Sequence, residues 1–415
     1  MPNPALVIAA ISLAVWLYLF IARGNFWNLR PFDDDDATHP APPTWPAVTA
    51  IIPARNEAET IAQTIASLTQ QNYPGKFSIL VVDDHSEDAT ANLAQQAARA
   101  NRTNPNASIG VTILNAPPLQ PNWTGKLSAL NAGVLHATKE NSPAYFLFTD
   151  ADIVHAPDTL SRLVARAEYQ HLDLNSLMVL LRAETLPERF LIPPFLFFFL
   201  MLYPPGRIAS SGSRVAGAAG GCILLRRDAL ERIGGLAAIR SEVIDDCALA
   251  RAVKNSALVG NVKKANIWMG LTRKSRSLRA YTTFAEIRDM IARTAFTQLR
   301  YSSLVLIFTL LGLALVYLAP LALLFSHDTF TRIVALATWL LMSLLFLPTV
   351  RFYRISTHWA ATLPAAASFY AAATFLSAAR YWTNRGAQWK GRSQATRPQY
   401  MLVATFLGAQ GRLTT

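Results

Sequence analysis

Two carboxylates separated by one alanine, Asp150 and Asp152, close an apolar run in the segment YFLFTDADIV, residues 145–154. In extended backbone, residues i and i+2 project from one face, so the two anions repel at short range unless a positive charge offsets them. A divalent cation is the usual offset. Oxygen-only ligands suit Mg²⁺ or Mn²⁺, which bind through one or two carboxylates and complete their shell with water and substrate phosphates. The alternative is a solvated turn at the end of a strand. What the pair means therefore depends on the other residues that reach the same edge.

Further acids stand at comparable places. Asp83 and Asp84 end the apolar stretch in KFSILVVDDHSEDAT, and Asp245 and Asp246 begin the helical pattern of IDDCALARAVK. These acids have to be positioned by the segments before them. An apolar strand runs from Val48 to Ile52 and is expected to stop at Pro53; a helical period follows from about Glu57, with Ile61, Ile65 and Leu68 at helix spacing. A second strand leads to Asp83, and Ser86 to Asp88 are placed to cap the helix ATANLAQQAARA. Strand and helix alternate, which predicts a βαβ unit with a parallel sheet. A dinucleotide-binding dehydrogenase would need a glycine-rich turn after the first strand. The turn PARNE, residues 53–57, contains no glycine, which excludes that class.

The chain has 415 residues, 52% of them hydrophobic, with 38 Lys plus Arg against 26 Asp plus Glu. Residues 5–22 are 18 uncharged, largely apolar residues, roughly 27 Å of helix and about the thickness of a bilayer core. A signal peptide fits less well, because no basic region precedes the run and no small-x-small site clearly ends it. Three more apolar stretches cover residues 302–326, 330–350 and 358–379; the last is alanine-rich, contains Pro364, and reads as a weaker span or a surface element. FLIPPFLFFFLMLYPP, residues 190–205, has two proline pairs and many aromatics, which predicts a piece lying in the membrane surface. Arg23, Arg30, Arg293 and Arg300 flank the spans on the globular side and place that domain in the cytoplasm. Three C-terminal crossings would carry the basic tail after Arg380 outside, against the same rule. The formal charge of +12 reads as attraction to anionic lipid, since no nucleic-acid motif accompanies it. Two cysteines give no disulfide scaffold, the seven histidines show no metal spacing, and Asp33 to Asp36 read as a solvated run.

In order along the chain come PARNE, VVDDHSED, WTGKLSALNAG, TDAD, GGCILLRRDALERIGG and IDD. This series resembles the family 2 nucleotide-sugar glycosyltransferases of GT-A fold. The single N-terminal anchor, the proline-and-phenylalanine segment before GGC, and QWKGR after the C-terminal spans are most similar to the bacterial hopene-associated glycosyltransferases.

The resemblance implies an α/β, Rossmann-like GT-A domain at residues 47–300. It would lie between an N-terminal anchor, 1–23, with a linker, 24–46, and a C-terminal transmembrane region, 301–380, with a basic tail, 381–415. It places the nucleotide sugar, a UDP-sugar first, at Pro53, Arg55, Glu57, Asp83, Asp84, Lys126 and Asp150. It gives the divalent cation, Mg²⁺ or Mn²⁺, to Asp150 and Asp152, and the role of base to Asp246. Gly220, Gly221, Asp245, Arg300 and Tyr301 fall to the acceptor or the diphosphate. Processive relatives carry Gln/Arg-x-x-Arg-Trp where this chain has TQLRY, which argues against a polysaccharide synthase. The implied enzyme inverts configuration on the cytoplasmic face of a bacterial inner membrane and uses a lipid acceptor, with a hopanoid as one candidate. A polyprenyl-phosphate glycosyltransferase and a catalytically silent scaffold are the alternatives.

Overall fold

The computed structural model describes residues 3–35, 38–103, 109–256 and 265–383, with the pairs 388–389 and 392–393. In chain order the elements are α1 (Pro4–Ala22), β1 (Val48–Ala54), α2 (Ile61–Thr69), β2 (Phe77–Asp83), α3 (Thr90–Thr103), β3 (Gly110–Asn115), α4 (Gly125–Glu140) and β4 (Tyr145–Thr149). There follow β5 (Ile153–His155), α5 (Thr159–Tyr169), β6 (Leu174–Leu180), α6 (Leu186–Leu202), α7 (Pro205–Ala209), β7 (Cys222–Arg226), α8 (Arg227–Arg232), α9 (Asp245–Ser256) and β8 (Ile267–Ser277). The chain then continues through α10 (Phe284–Gln298), α11 (Ser303–Leu313), α12 (Ala319–Leu323), α13 (Thr329–Phe352) and α14 (Leu363–Trp382).

The eight strands form one sheet in the order β3-β2-β1-β4-β7-β6-β8-β5. The first four are parallel, as the alternating pattern predicts, and β7 then enters antiparallel between β4 and β6. β1 does not stop at Pro53; it continues to Ala54, paired in register with Asp83 at the end of β2. Every residue of β1 is buried, because helices cover both faces of this central strand. The α2, α3 and α5 side has its own apolar cluster, built on Ile52, Ile61, Leu68 and Leu163. On the opposite face α4 lies close to β1: a Cβ on Gly133 would stand 2.5 Å from Ile51 Cγ2, so only glycine fits there.

That second cluster does not end at the domain. Ile51 and Phe146 belong to the same buried cluster as Trp16, Phe197 and Phe346 from the apolar helices. Among the described residues, five helical stretches are long and apolar enough to cross a membrane: Pro4–Ala22, Leu186–Ala209, Ser303–Leu323, Thr329–Phe352 and Thr357–Trp382. In the third, Pro320 offers no N–H to the carbonyl of Val316 four residues earlier. Ser12 Oγ and Trp16 Nε1 of α1 donate to that oxygen at 3.2 and 3.0 Å, which satisfies it and joins the two helices.

Two sequence expectations need correction. The proline pair of residues 193 and 194 does not break the 190–205 segment, which is helical through Leu202. Its N-terminus is secured by a capping box of Thr185 and Glu188, and its middle by burial: Phe197 is fully buried against Trp16, Phe26 and Phe346. Phe197 is therefore core and not a lipid-facing anchor. The acidic run is likewise not a solvated stretch over the described part, Asp33 to Asp35. Asp34 is 5% exposed and pairs with Arg166 and Arg162 of α5, and Arg166 lies 3.6 Å over the Trp268 ring. Asp35 accepts from Thr272 Oγ1 at 2.7 Å, and Asp33 pairs with Arg273 at 2.9 Å. The run thus ties the linker after α1 to the far strands of the sheet. Asp36 lies outside the described residues.

Removing one partner of a buried ion pair leaves the other charge uncompensated, at a cost of about 3–5 kcal/mol. Asp34→Ala should therefore lower the thermal stability of the detergent-solubilised protein markedly, read as a drop in Tm. An unchanged Tm would mean that the acidic run does not anchor the linker.

Candidate active site

The acids reach one place because several elements end there. β4 ends at Thr149, whose hydroxyl donates to Gly221 O at 2.9 Å and pins the turn before β7. Asp150 and Asp152 follow at once. α4 starts beneath them, capped by the Thr124 side chain, and presents Lys126 on its second residue. α9 begins with Asp245 and Asp246.

Lys126 is the centre of this cluster. Its Nζ lies 2.8 Å from Asp150 Oδ1 and 3.5 Å from Asp245 Oδ2. Burial alone would lower the affinity of this amine for its proton, but Asp150 and Asp245 outweigh that effect and keep it firmly protonated. Asp246 Oδ2 accepts from Gly220 N at 3.0 Å, and its Oδ1 accepts from Cys247 N at 2.7 Å. Burial first, and then the charge of Asp245, push the Asp246 carboxyl up to about 6 against the pull of Lys126. Gly220 has little spare room: a Cβ there would be 3.3 Å from Asp246 Oδ2 and 3.4 Å from Lys126 Nζ.

These residues line a cleft of about 270 Å³ that also takes in Pro53, Glu57, Asp152 and Gly221. Asp152 Oδ2 accepts from Ser277 Oγ at 2.9 Å. Its carboxyl is raised by burial and then by Asp150, with Arg279 opposing. Adjoining the cleft is an apolar cavity of about 490 Å³, walled by Phe195, Phe199, Leu202, Leu313, Tyr370 and Thr374. The two spaces share Lys126, Asp150, Asp245 and Asp246.

Other sequence candidates lie elsewhere. Arg55 is buried, and its Nη1 donates to Asp84 O (2.6 Å) and His85 O (2.9 Å) while its Nη2 pairs with Glu87. It therefore braces the turn after β2. Asp83 accepts from Ser86 Oγ at 2.5 Å, and Asp84 is 1% exposed beside His85. Arg300, just past the end of α10 with φ +53°, lines neither the cleft nor the apolar cavity. Tyr301 stacks on Tyr381 at 4.5 Å. The cation that faces the cleft from α10 is Arg293, which lines both the cleft and the apolar cavity and carries no ion pair or hydrogen bond among the described residues. Helical periodicity held the signal: residues seven apart share a face, so Arg293 stands on the face of α10 that a continued helix would have given Arg300, two turns earlier. Ser277, Arg279 and Tyr281 follow from the course of β8, which no motif marked.

The chemistry of the donors fits a hard divalent cation, since Asp150 and Asp152 supply only oxygen and stand on one face of the strand end. Among the described residues no three His, Cys, Asp or Glu side chains converge as a complete metal site. A cation held here would draw its remaining ligands from water and from substrate phosphates.

Comparison with known proteins agrees with this architecture. Residues 49–234 match the family described as Glycosyl transferase family 2. An N-acetylglucosaminyltransferase of Rhizobium leguminosarum bv. viciae is 35% identical over 164 residues, 38% of this chain and 34% of that protein. Glycosyltransferase AglE of Haloferax volcanii is 32% identical over 132 residues, 32% of this chain and 38% of that one. The matched part thus spans about a third of the length of these relatives. Among solved structures, mannosyltransferase PcManGT from Pyrobaculum calidifontis, in complex with GDP-Man and Mn²⁺, superposes with a TM-score of 0.56 at 19% identity, over 92% of this chain and 99% of that one. The chain has the GT-A glycosyltransferase fold, flanked by apolar helices.

Lys126→Met removes the ammonium that lies between three carboxylates. Its Tm in metal-free buffer should fall, and MnCl₂ should restore more stability to the variant than it adds to the native protein. An equal response of both to Mn²⁺ would show that these carboxylates do not hold the ion.

Proposed function

We propose that this protein is an inverting, cation-assisted glycosyltransferase that moves a sugar from a nucleotide-sugar donor to a lipid, working at the cytoplasmic face of a bacterial inner membrane. The observation that carries this reading is the shared wall: one set of acids and Lys126 closes both a polar cleft and an apolar cavity beside apolar helices. A donor rich in phosphate suits the first space and a lipid the second.

Each residue has a role in this reading. Pro53 and Glu57 border the donor, and Gly220 and Gly221 allow close approach beneath it. Lys126 exchanges its carboxylate partners for the donor's phosphates. A bound Mg²⁺ or Mn²⁺ at Asp150 and Asp152 supplies charge stabilisation for the leaving diphosphate, worth several kcal/mol, and each 1.36 kcal/mol is about tenfold in rate. Asp246 receives the acceptor's proton late, as the attacking oxygen bonds to the anomeric carbon and the bond to the nucleoside diphosphate breaks. Its raised pKa, caused by burial and Asp245, suits that task. Attack from the side opposite the diphosphate inverts configuration.

An acceptor bearing a hydroxyl, a hopanoid among the candidates, makes use of this base. A polyprenyl-phosphate acceptor is the second reading, favoured by Arg293, whose unpaired guanidinium faces both spaces. The intact acids oppose a silent scaffold. UDP-sugars head the donors to test, with GDP-mannose included because PcManGT is known bound to GDP-Man.

Incubation with a panel of nucleotide sugars and membrane lipid extract should yield a glycolipid, and Asp152→Asn should lower its formation at least a hundredfold while the protein remains folded. Undiminished transfer by this variant in EDTA would sink the cation role. Phe199→Ser, in the wall common to both spaces, should reduce transfer to lipid more than hydrolysis of the donor by water. Equal losses would place the acceptor elsewhere. Arg293→Gln should cost at least tenfold in transfer and Arg300→Gln little; the reverse order would return the role to Arg300.

A further inference from the structure

α14 has the length and hydropathy of a membrane span, but its neighbours fix where it ends. Phe369 packs on Phe284 at 6.1 Å, near the start of α10. Eight residues later, Ser377 Oγ donates to Ala292 O at 2.5 Å and accepts from Phe296 N at 3.0 Å. Arg380 Nη2 reaches Asp289 Oδ1 at 2.6 Å, and Tyr381 stacks on Tyr301 just beyond α10. The two helices thus run side by side in the same direction for about 12 residues, roughly 18 Å at the helical rise.

α10 cannot be inside hydrocarbon. It carries Glu286, Arg288, Asp289 and Arg293 within 15 residues, and ionised side chains are rare at bilayer depth because each is costly to desolvate there. It also lines the polar cleft through Met290 and Arg293. α14 shares its level. The start of α14 leans into the bundle, where Trp339 Nε1 of α13 donates to Ala361 O at 3.1 Å, yet the chain returns to α10 by Ser377. Had α14 crossed, Arg380 would lie with the α12–α13 turn at the opposite membrane face. α6 behaves alike. Glu188 near its start accepts from Tyr281 N at 2.8 Å, and Tyr203 at its end bonds Gln298, so both ends are held by the catalytic domain.

The exposed face of α14 is uncharged: Ala365, Ser368, Ala372, Phe375 and Trp382 are exposed at steps of three, four and seven residues. Phe375 is 54% and Trp382 41% exposed, so this face can meet lipid, and the partners of Ser377 and Arg380 on α10 set its depth.

We propose that α14 lies in the membrane surface on the side of the catalytic domain instead of crossing. Among the described residues the chain then crosses three times, through α1, the 303–323 helix and α13, and the end of α14 shares a compartment with the active site. Arg380, in the last turn of α14, then sits on the side that the positive-inside rule assigns to basic residues. Tyr370 and Thr374 of α14 wall the apolar cavity, so that cavity opens toward the leaflet facing the catalytic domain. This inference rests on the membrane reading and not on the glycosyl-transfer reading.

Three single-cysteine additions test it in the full-length protein in cells, with Cys222 and Cys247 left in place because both are buried. A membrane-impermeant maleimide is applied to intact and to permeabilised cells carrying Gly110→Cys, His327→Cys or Thr383→Cys. Position 327 should label in intact cells, and positions 110 and 383 only after permeabilisation. Labelling of 383 together with 327, opposite to 110, would overturn the proposal. Labelling of 110 and 383 from outside with 327 protected would support it while reversing the orientation under "Proposed function".

Discussion

The site depends on one electrostatic constraint: Asp150, Asp245 and Asp246 gather around a single half-buried ammonium, that of Lys126. Three carboxylates this close in a partly desolvated cleft repel one another unless a counter-charge stands among them. Lys126 supplies it from the first turn of α4, and the Thr124 cap fixes where that turn begins. The cap is itself placed by the segment before α9, where Arg240 O accepts from Thr124 N at 2.9 Å. Thus the register of one helix, the turn after β4 and the start of α9 are all referred to one nitrogen atom. A cationic group in that position also prepares the space for phosphate, because it already holds the charge a polyanionic donor requires.

A second constraint is packing. The face of the sheet that carries α4 shares its core with α1, α6, α13 and α14, so the domain has no separate polar surface on that side. The apolar cavity is a consequence: where α6, α10, α11 and α14 meet above the acids, their side chains leave a space whose floor is charged and whose walls are not. Glu188, buried at the start of α6 and bonded to Tyr281 N, couples those walls to the loop that follows β8. The linker is held as firmly at the opposite end of the sheet by Asp33, Asp34 and Asp35.

Local pattern determined a good deal of this. Period-two and period-3.6 hydrophobicity is written in each segment by itself, so the βαβ start, the acids at strand ends and the apolar helices were legible from Val48, Ile61, Val82, Asp150 and residues 5–22. The lone alanine in Asp150-Ala151-Asp152 announced a shared face without any knowledge of neighbours. Side-chain partners were not legible, because they come from residues far apart in the chain. Asp34 meets Arg166 across 132 positions, and an acidic run therefore read as solvated. Arg55 turned out to be committed to the carbonyls of residues 84 and 85. Arg300 followed a motif, but α10 ends two residues earlier and Arg300 lines neither space, leaving Arg293 at the cleft. The prolines of α6 were overruled by burial along the helix: Leu191, Ile192, Leu196, Phe197 and Leu200 together, at roughly 1.5–3 kcal/mol each, outweigh about 3 kcal/mol for each proline. Hydropathy counts apolar residues and is blind to direction. The sequence by itself therefore determined which helices are apolar enough for a membrane, while only the packing of α14 along α10 decided where that helix ends.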